Sequence, residues 1–255
     1  MQCLLGDQRA GSVHSQRFLS LLSSKPPTMI FMIHNTLLFL FGCLFTASMG
    51  LWAHRFSRDL LAGLAMLQVV LANLFVLKQI HLFGFNATAS DLLSVGACFA
   101  VNLFHEGYGK VATQRLIKAM WVCMAFTGVI SQVVLFYEPS QYDFMHKHYH
   151  ALLSNSPRIF LASLVVFYIS QQINLRLYRW FREAFPQQSL PMANAFSLGI
   201  SQIADTALFL FAALYGIASQ LLELFIISYL IKAITILLFS PFSAFVLKNE
   251  RFTRE

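Results

Sequence analysis

Residues 92–115 read LLSVGACFAVNLFHEGYGKVATQR, and they join an apolar run to a polar end. The first part is hydrophobic enough to lie in hydrocarbon, yet Asn102, His105 and Glu106 follow within a few residues. An ionisable group at membrane depth costs about 2.5 to 3.5 kcal/mol on insertion scales, so it needs a partner or a purpose. Asn102 and Glu106 are four residues apart and share a helical face without Leu or Val, which favours a pore-facing role for Glu106 over solvation at the interface. Gly107 and Gly109 are available to end the helix.

The composition is that of a polytopic membrane protein. The chain has 255 residues, of which 57% are hydrophobic and 11% are charged, and it contains 26 Phe. Soluble domains carry about 25% charged residues. The apolar runs are long enough to cross a hydrocarbon core of about 30 Å as helices, and they lack the alternation of barrel strands. We therefore expect an all-α membrane protein, a bundle of about seven (six to seven) transmembrane helices.

The predicted spans cover residues 32–53, 60–80, 88–105, 116–137, 158–179, 192–217 and 220–247. Eleven of the 18 Lys and Arg residues follow the first, third, fifth and seventh spans. The positive-inside rule places that side, and the C-terminus, in the cytoplasm. The basic residues within 1–28 oppose this orientation, unless translation starts near Met29 or Met32. Residues 1–28 are predicted to be a disordered tail, and residues 29–255 a single transmembrane transporter domain.

Four groups of polar residues lie inside predicted spans. Ser201, Gln202, Asp205 and Thr206 share one helical face by their spacing of three and four. Lys232 is about a dozen residues from either end of its span and needs an anion, for which Asp205 is the obvious partner. Gln171 and Asn174 share a face, as do Asn102 and Glu106. For the first three groups a structural role between helices is the alternative. It is favoured for Gln171 and Asn174 taken alone, and for the Asp205 and Lys232 pair the two interpretations are about equally weighted. Pro241, in the same run as Lys232, should break the helix.

Other chemistries have little support in the sequence. The four cysteines are scattered, which is typical of small hydrophobic side chains. The net charge of +7 is spread over helix ends, so topology and anionic lipid explain it better than nucleic acid does. The histidines of HKHYH (146–150) lack a plausible ligand set, so neither metal nor cofactor is expected. Neither a phosphate-binding loop with the GxxxxGK[ST] pattern nor a catalytic motif is found, which disfavours an ATPase and an intramembrane enzyme.

Several ordered motifs resemble the queuosine precursor transporter family, also called the vitamin uptake transporter family. They are LANLFVLKQIHLFGFNATASDLLSVGACFAVNLFHEGYGKVATQR (71–115), SPRIFLASLVVFYISQQIN (156–174), SQIADT (201–206) and YLIKAITILLFSPF (229–242). The resemblance covers roughly residues 35–248. It implies a bacterial inner-membrane importer of 7-deazaguanines (7-cyano-7-deazaguanine, 7-aminomethyl-7-deazaguanine or queuine) for salvage of the tRNA nucleoside queuosine.

The resemblance also implies residues of the transport pathway. The family pattern has the same residue types at Asn73, Lys78, Glu106, Arg115, Ser170, Gln171, Ser201, Gln202, Asp205, Thr206, Lys232 and Pro241. Asn102 and Asn174 stand where the family often has Asp, which weakens the case for proton coupling there and for affinity toward the cationic aminomethyl base. We predict a central polar cavity lined by the third, fifth, sixth and seventh spans, with Asp205 as the principal recognition carboxylate and Glu106 as a gate or coupling group.

Two alternatives stay open. The chain could capture a vitamin-like molecule for a separate ATP-driven module, or it could be a structural membrane protein whose polar face joins helices. The sequence leaves the coupling ion and the oligomeric state open, a homodimer included.

Overall fold

The computed structural model describes residues 29–76, 78–82, 85–153, 157–215 and 221–245. Predictions for the first 28 residues and for the basic residues after 245 lie outside this part of the chain. Seven α-helices are formed by the described residues, together with a short antiparallel hairpin, a π-helical turn and a 3-10 segment. The helices are α1 (Met29–Phe56), α2 (Arg58–Leu74), α3 (Asp91–Phe136), α4 (His146–Leu153), α5 (Pro157–Ala184), α6 (Leu190–Phe209) and α7 (Leu221–Phe239).

Five helices are long and apolar enough to cross a membrane. They contain Ile33–Phe56, Asp91–Phe136, Ile159–Ala184, Leu190–Ala213 and Leu224–Phe245. Large apolar side chains cover their outer faces, among them Phe41, Phe126 and Leu237, each exposed by 66 to 69%. In a bilayer such faces contact lipid, because only hydrocarbon accommodates an apolar surface of this extent without loss of free energy. The predicted class, an all-α membrane protein, is therefore confirmed.

The second predicted span is shorter than expected. Helix α2 begins after Ser57, whose side chain accepts a hydrogen bond from the Leu60 backbone N–H at 3.0 Å. It ends at Leu74 after 17 residues, although residues up to 80 were predicted to be helical. Residues 79 and 80 instead belong to strand β1 (Gln79–Leu82), which pairs antiparallel with β2 (Phe85–Thr88). The run LFGFNAT (82–88) is apolar but carries Gly84, a residue type that favours a turn, and this hairpin was not predicted.

Helix α3, an element of 46 residues, contains the third and fourth predicted spans as two helical segments that meet at a kink. The shorter segment, residues 91–108, is about 27 Å long at 1.5 Å per residue, close to the thickness of a hydrocarbon core. The backbone of α3 leaves helical geometry at Gly109, where φ is +75°. Glycine adopts this left-handed region without a Cβ clash, so the predicted role of Gly109 as a break is confirmed. Gly107 stays helical, and a Cβ there would lie 2.8 Å from Cε1 of His54.

Two further irregularities end the last two helices. Helix α6 passes into a π-helical turn (Leu210–Leu214). Helix α7 gives way to the 3-10 segment Ser240–Phe245, so the α-helix ends at Phe239, two residues before Pro241, which was predicted to break it. Helix α3 lies at the centre of the bundle and contacts α1, α2, α5, α6 and α7.

Candidate functional site

A polar column runs through the bundle along the inward faces of α3, α5 and α6. On α3 the spacing from Asp91 to Glu106 spans 15 residues, or about 22 Å of helix axis. Helix α6 runs in the opposite sense, so its later residues lie beside the earlier residues of α3 and α5. The column consists of Asp91, Cys98, Asn102 and Glu106 on α3, of Gln171, Asn174, Tyr178 and Arg182 on α5, of Asn194, Ser197, Gln202, Asp205 and Thr206 on α6, and of Lys232 on α7.

The middle of the column is organised around the thiol of Cys98. Gln171 donates from Nε2 to Cys98 Sγ at 3.1 Å, and Gln202 donates from Nε2 to the same sulfur at 3.3 Å. All three side chains are buried, with exposed fractions of 1 to 2%. Cys98 lies in the hydrophobic core, as predicted for a small hydrophobic side chain, and its sulfur is in addition the shared acceptor that joins α5 to α6.

One turn further along α3, Asn102 connects the same three helices. Its Nδ2 donates to Asn194 Oδ1 at 2.8 Å and to Ser197 Oγ at 3.2 Å. Its Oδ1 accepts from Asn174 Nδ2 at 2.9 Å. The amide of Asn102 is therefore used at both ends, which answers why an apolar helix carries Asn at this position.

We call these seven side chains the amide cluster: Cys98, Asn102, Gln171, Asn174, Asn194, Ser197 and Gln202. Three of its oxygens, although buried, have no hydrogen-bond partner in the described part of the chain: Gln171 Oε1, Asn174 Oδ1 and Gln202 Oε1. A buried polar atom left without a partner costs about 1 to 3 kcal/mol. Three such acceptors in one place therefore raise the free energy of the folded protein. A bound ligand with N–H groups would remove this cost by donating to them.

The end of the column near Lys232 carries the charged residues of α6 and α7. Lys232 Nζ donates to Asp205 Oδ2 at 2.7 Å and to Thr206 Oγ1 at 3.2 Å. The predicted pairing of Lys232 with Asp205 is thus confirmed. Asp91, three residues after strand β2, interacts electrostatically with both partners. Strand β2 also contacts α7, so the unpredicted hairpin packs beside this end of the column.

The opposite end is closed by side chains from α3 and α5. Glu106 Oε1 accepts from the Tyr178 hydroxyl at 3.0 Å and forms an ion pair with Arg182 Nε at 3.3 Å. His105 packs edge-on against Tyr178, with ring centroids 5.9 Å apart. Glu106 faces the helix bundle rather than solvent alone, since its side chain is 21% exposed.

The structure brings together nine of the ten predicted site residues. Asn102, Gln171, Asn174 and Gln202 meet in the amide cluster, and Ser201 is buried beside it with its hydroxyl bonded to the Leu198 carbonyl at 3.1 Å. The remaining four lie at the two ends, as Asp205, Thr206 and Lys232 at one and Glu106 at the other. Asn73 lies elsewhere, where it lines a cavity of about 30 Å³ with Thr127, Gly128 and Phe160.

The sequence reasoning missed five members of the column besides Cys98. Asn194 and Ser197 continue the three and four spacing of Ser201 and Asp205 toward the start of α6, so extending that period would have found them. Tyr178 and Arg182 follow Gln171 and Asn174 at the same spacing, but Arg182 was counted only as a charge that sets orientation. Asp91 begins α3, where an acidic residue is common for reasons of capping.

The predicted open cavity is, in this structure, a hydrogen-bonded core. The members of the amide cluster are each exposed by 2% or less, and they bond to one another across the space that the sequence analysis assigned to substrate. Access to the column therefore requires that helices or side chains move.

A buried polar column inside a bundle of apolar helices defines a multi-pass membrane protein of the transporter class. Residues 88–246 match the sequence model of the family described as “Putative vitamin uptake transporter”. The chain is also 31% identical over 177 residues to a protein of Bacillus subtilis (strain 168) named “Probable queuosine precursor transporter”, with 68% of this chain and 77% of that protein covered. The chain belongs to this family of vitamin uptake transporters. No solved structure matches it.

Proposed function

We propose that the protein imports queuosine precursors of the 7-deazaguanine class across the bacterial inner membrane, for salvage into tRNA. The relative from Bacillus subtilis carries the name of that activity. The observation that carries the proposal is the amide cluster, in which three buried oxygens from α5 and α6 have no partner among the described residues, two of them on glutamines that donate to the Cys98 thiol. A guanine-like ring offers several N–H donors along one edge, and amide oxygens accept from such donors.

The charged end supplies the second half of the proposed recognition. One oxygen of Asp205 is held by Lys232, and the Asp205 side chain is 24% exposed, which leaves it more accessible than the amide cluster. A carboxylate can accept from the donor edge of the ring while the ammonium donates to its carbonyl. Asp205 is therefore our principal recognition residue, and Ser201, Gln202, Thr206 and Lys232 support it.

The opposite end supplies the proposed gate. Glu106 joins α3 to α5 through Tyr178 and Arg182, and these contacts must separate before a ligand can leave the column there. Gly109 lies three residues after Glu106 and has the non-helical backbone at which α3 can bend. We assign this end to the cytoplasm, together with the C-terminus, from the distribution of Lys and Arg.

The arrangement in the membrane follows from the same elements. Helix α3 crosses twice, once on each side of Gly109, and α2 crosses once although it is only 17 residues long. With the other four apolar helices this gives seven spans. A short helix can cross because the bilayer thins locally or because flanking residues reach the interface.

The test is restoration of queuosine in tRNA. The chain is expressed in bacteria that lack both precursor synthesis and their own importer, and each of the three precursors is supplied separately. Modification with one precursor establishes import and names the substrate. If the protein accumulates in the membrane, the host can use each compound and no precursor restores queuosine, the proposal is wrong.

Transport by the purified chain in liposomes separates this function from that of a capture subunit. Uptake by the lone chain shows that a separate ATP-driven module is not needed. Binding without uptake in the same vesicles would assign the column to substrate capture.

A further inference from the structure

We infer that Cys98 is a positioning residue for ligand selectivity: its sulfur turns the amide groups of Gln171 and Gln202 so that both present their oxygens to the ligand. This inference rests on the proposed function, because it concerns the ligand that the amide cluster takes. It specifies which face of the ligand is read, namely an edge rich in N–H donors.

The two glutamines orient their amide groups in the same way relative to Cys98. An amide group has donors on its nitrogen and an acceptor on its oxygen, and rotation about the last side-chain torsion exchanges them. Both nitrogens point to the same sulfur, at 3.1 Å and 3.3 Å. Because each nitrogen is directed to Cys98, each oxygen is directed away from it.

The second observation concerns the hydrogen bonding of the two glutamine oxygens. Gln171 Oε1 and Gln202 Oε1 are buried, and no described residue hydrogen-bonds to either. The two glutamines belong to different helices, α5 and α6, and both meet Cys98 of α3, so the pair lies where three helices join rather than on one turn of a single helix. When these helices separate, two acceptors held on different helices select a ligand that donates to both.

The carboxylates on either side of the amide cluster are already paired with cations. The carboxylate of Asp205 is engaged by Lys232 at 2.7 Å, and that of Glu106 by Arg182 at 3.3 Å. The cluster between them consists of amides, a hydroxyl and a thiol, so recognition there depends on hydrogen-bond direction rather than on charge. A site built to pair ligand N–H groups rejects an analogue that lacks one of them, because a buried acceptor is then left unpaired.

The consequence for mutation is specific. In Cys98→Ala the shared acceptor is lost, so either glutamine can rotate and present its N–H groups instead. In Cys98→Ser the hydroxyl oxygen still accepts, which should preserve part of the orientation. The matched control is Cys43→Ala, because Cys43 is a fully buried thiol (0% exposed) in α1 and lies outside the column.

The experiment compares two neutral ligands that differ in one donor group. Purified protein is titrated with 7-deazaguanine, which has an exocyclic amino group, and with 7-deazahypoxanthine, which lacks it, and binding is followed by thermal shift. Both compounds also compete with labelled 7-cyano-7-deazaguanine for uptake in cells. We expect wild type and Cys43→Ala to prefer 7-deazaguanine, and Cys98→Ser to retain part of this preference. In Cys98→Ala the ratio of the affinities for 7-deazaguanine and 7-deazahypoxanthine should fall about tenfold.

Each outcome decides between the two proposals. A wild-type protein that binds both ligands equally, or neither, overturns the inference, as does an unchanged preference in Cys98→Ala. Selective binding without uptake leaves the inference intact and overturns only the proposed import. If Cys98→Ala does not accumulate in membranes, Gln202→Met removes one of the two oxygens at similar volume and should lower the preference for 7-deazaguanine; an unchanged preference there would also refute the inference.

Discussion

Lys232 Nζ lies 2.7 Å from Asp205 Oδ2, and the two residues belong to α7 and α6. The Lys232 side chain is only 7% exposed, and its charge is compensated mainly by Asp205 and also by Asp91, while Thr206 accepts a further hydrogen bond. A buried ion pair contributes little net stability, whereas removal of one partner destabilises by about 3 to 5 kcal/mol because a buried charge is left alone. This asymmetry allows a structural role and a recognition role to be separated.

The first prediction concerns that pair. Asp205→Asn should abolish precursor uptake while the protein still inserts, with reduced thermal stability because Lys232 loses its nearest counter-ion. In the double variant Asp205→Asn with Lys232→Met both charges of the pair are absent, so stability should recover in part, since Asp91 then lacks its cation, and uptake should not recover. The measurements are melting in detergent and queuosine content of tRNA. Wild-type uptake in either variant would show that Asp205 is not the recognition carboxylate.

The second prediction concerns Asn102, whose amide bonds to three other side chains. Asn102→Leu removes all of these hydrogen bonds and leaves the amide of Asn174 and the oxygen of Asn194 with fewer partners. We expect a loss of about 1 to 3 kcal/mol in stability, read as a lower melting temperature. Asn73→Leu is the control, because Asn73 lies outside the column and is partly exposed. Equal melting temperatures for the two variants would contradict a central role of Asn102.

The third prediction concerns the closure at Glu106. Tyr178→Phe removes the hydroxyl that donates to Glu106 at 3.0 Å and keeps the ring. In a background where the other cysteines are replaced by Ala, we expect Cys98 to react several-fold faster with a membrane-permeant maleimide, because the end of the column opens more often. Tyr142→Phe is the matched control, since Tyr142 is 80% exposed. An unchanged rate in Tyr178→Phe would exclude this contact as part of the gate.

The fourth prediction concerns two glycines with opposite requirements. Gly109 has φ of +75°, so Gly109→Ala should destabilise the protein by about 1 to 2 kcal/mol although no atom would clash with the new Cβ. Gly63 lies inside α2 with open space around it, so Gly63→Ala should stabilise by about 0.5 to 1 kcal/mol. Both changes are measured as shifts in melting temperature. A rise for Gly109→Ala would show that the break in α3 is not required.

Most of the column was accessible from local patterns. The face formed by Gln202, Asp205 and Thr206 follows from helical spacing, and the partner of Lys232 follows from the cost of a lone charge in hydrocarbon. Asn73 entered the predicted site only by resemblance to a family, and the structure places it away from the column. Spacing within one helix states which residues share a face, but not which faces of different helices meet.

The amino-acid sequence by itself determined the class of the protein and the polar faces of its helices, because both depend on local composition and on a period of 3.6 residues. It also determined where helices break, since Gly109 and Pro241 act through their own backbone geometry. Only the tertiary structure decided that side chains of α5 and α6 meet at Cys98 of α3, that the hairpin packs beside one end of the column, and that the expected cavity is a hydrogen-bonded core. The physical reason is that a hydrogen bond between residues 73 or 104 positions apart depends on how whole helices pack, and no local pattern records that packing.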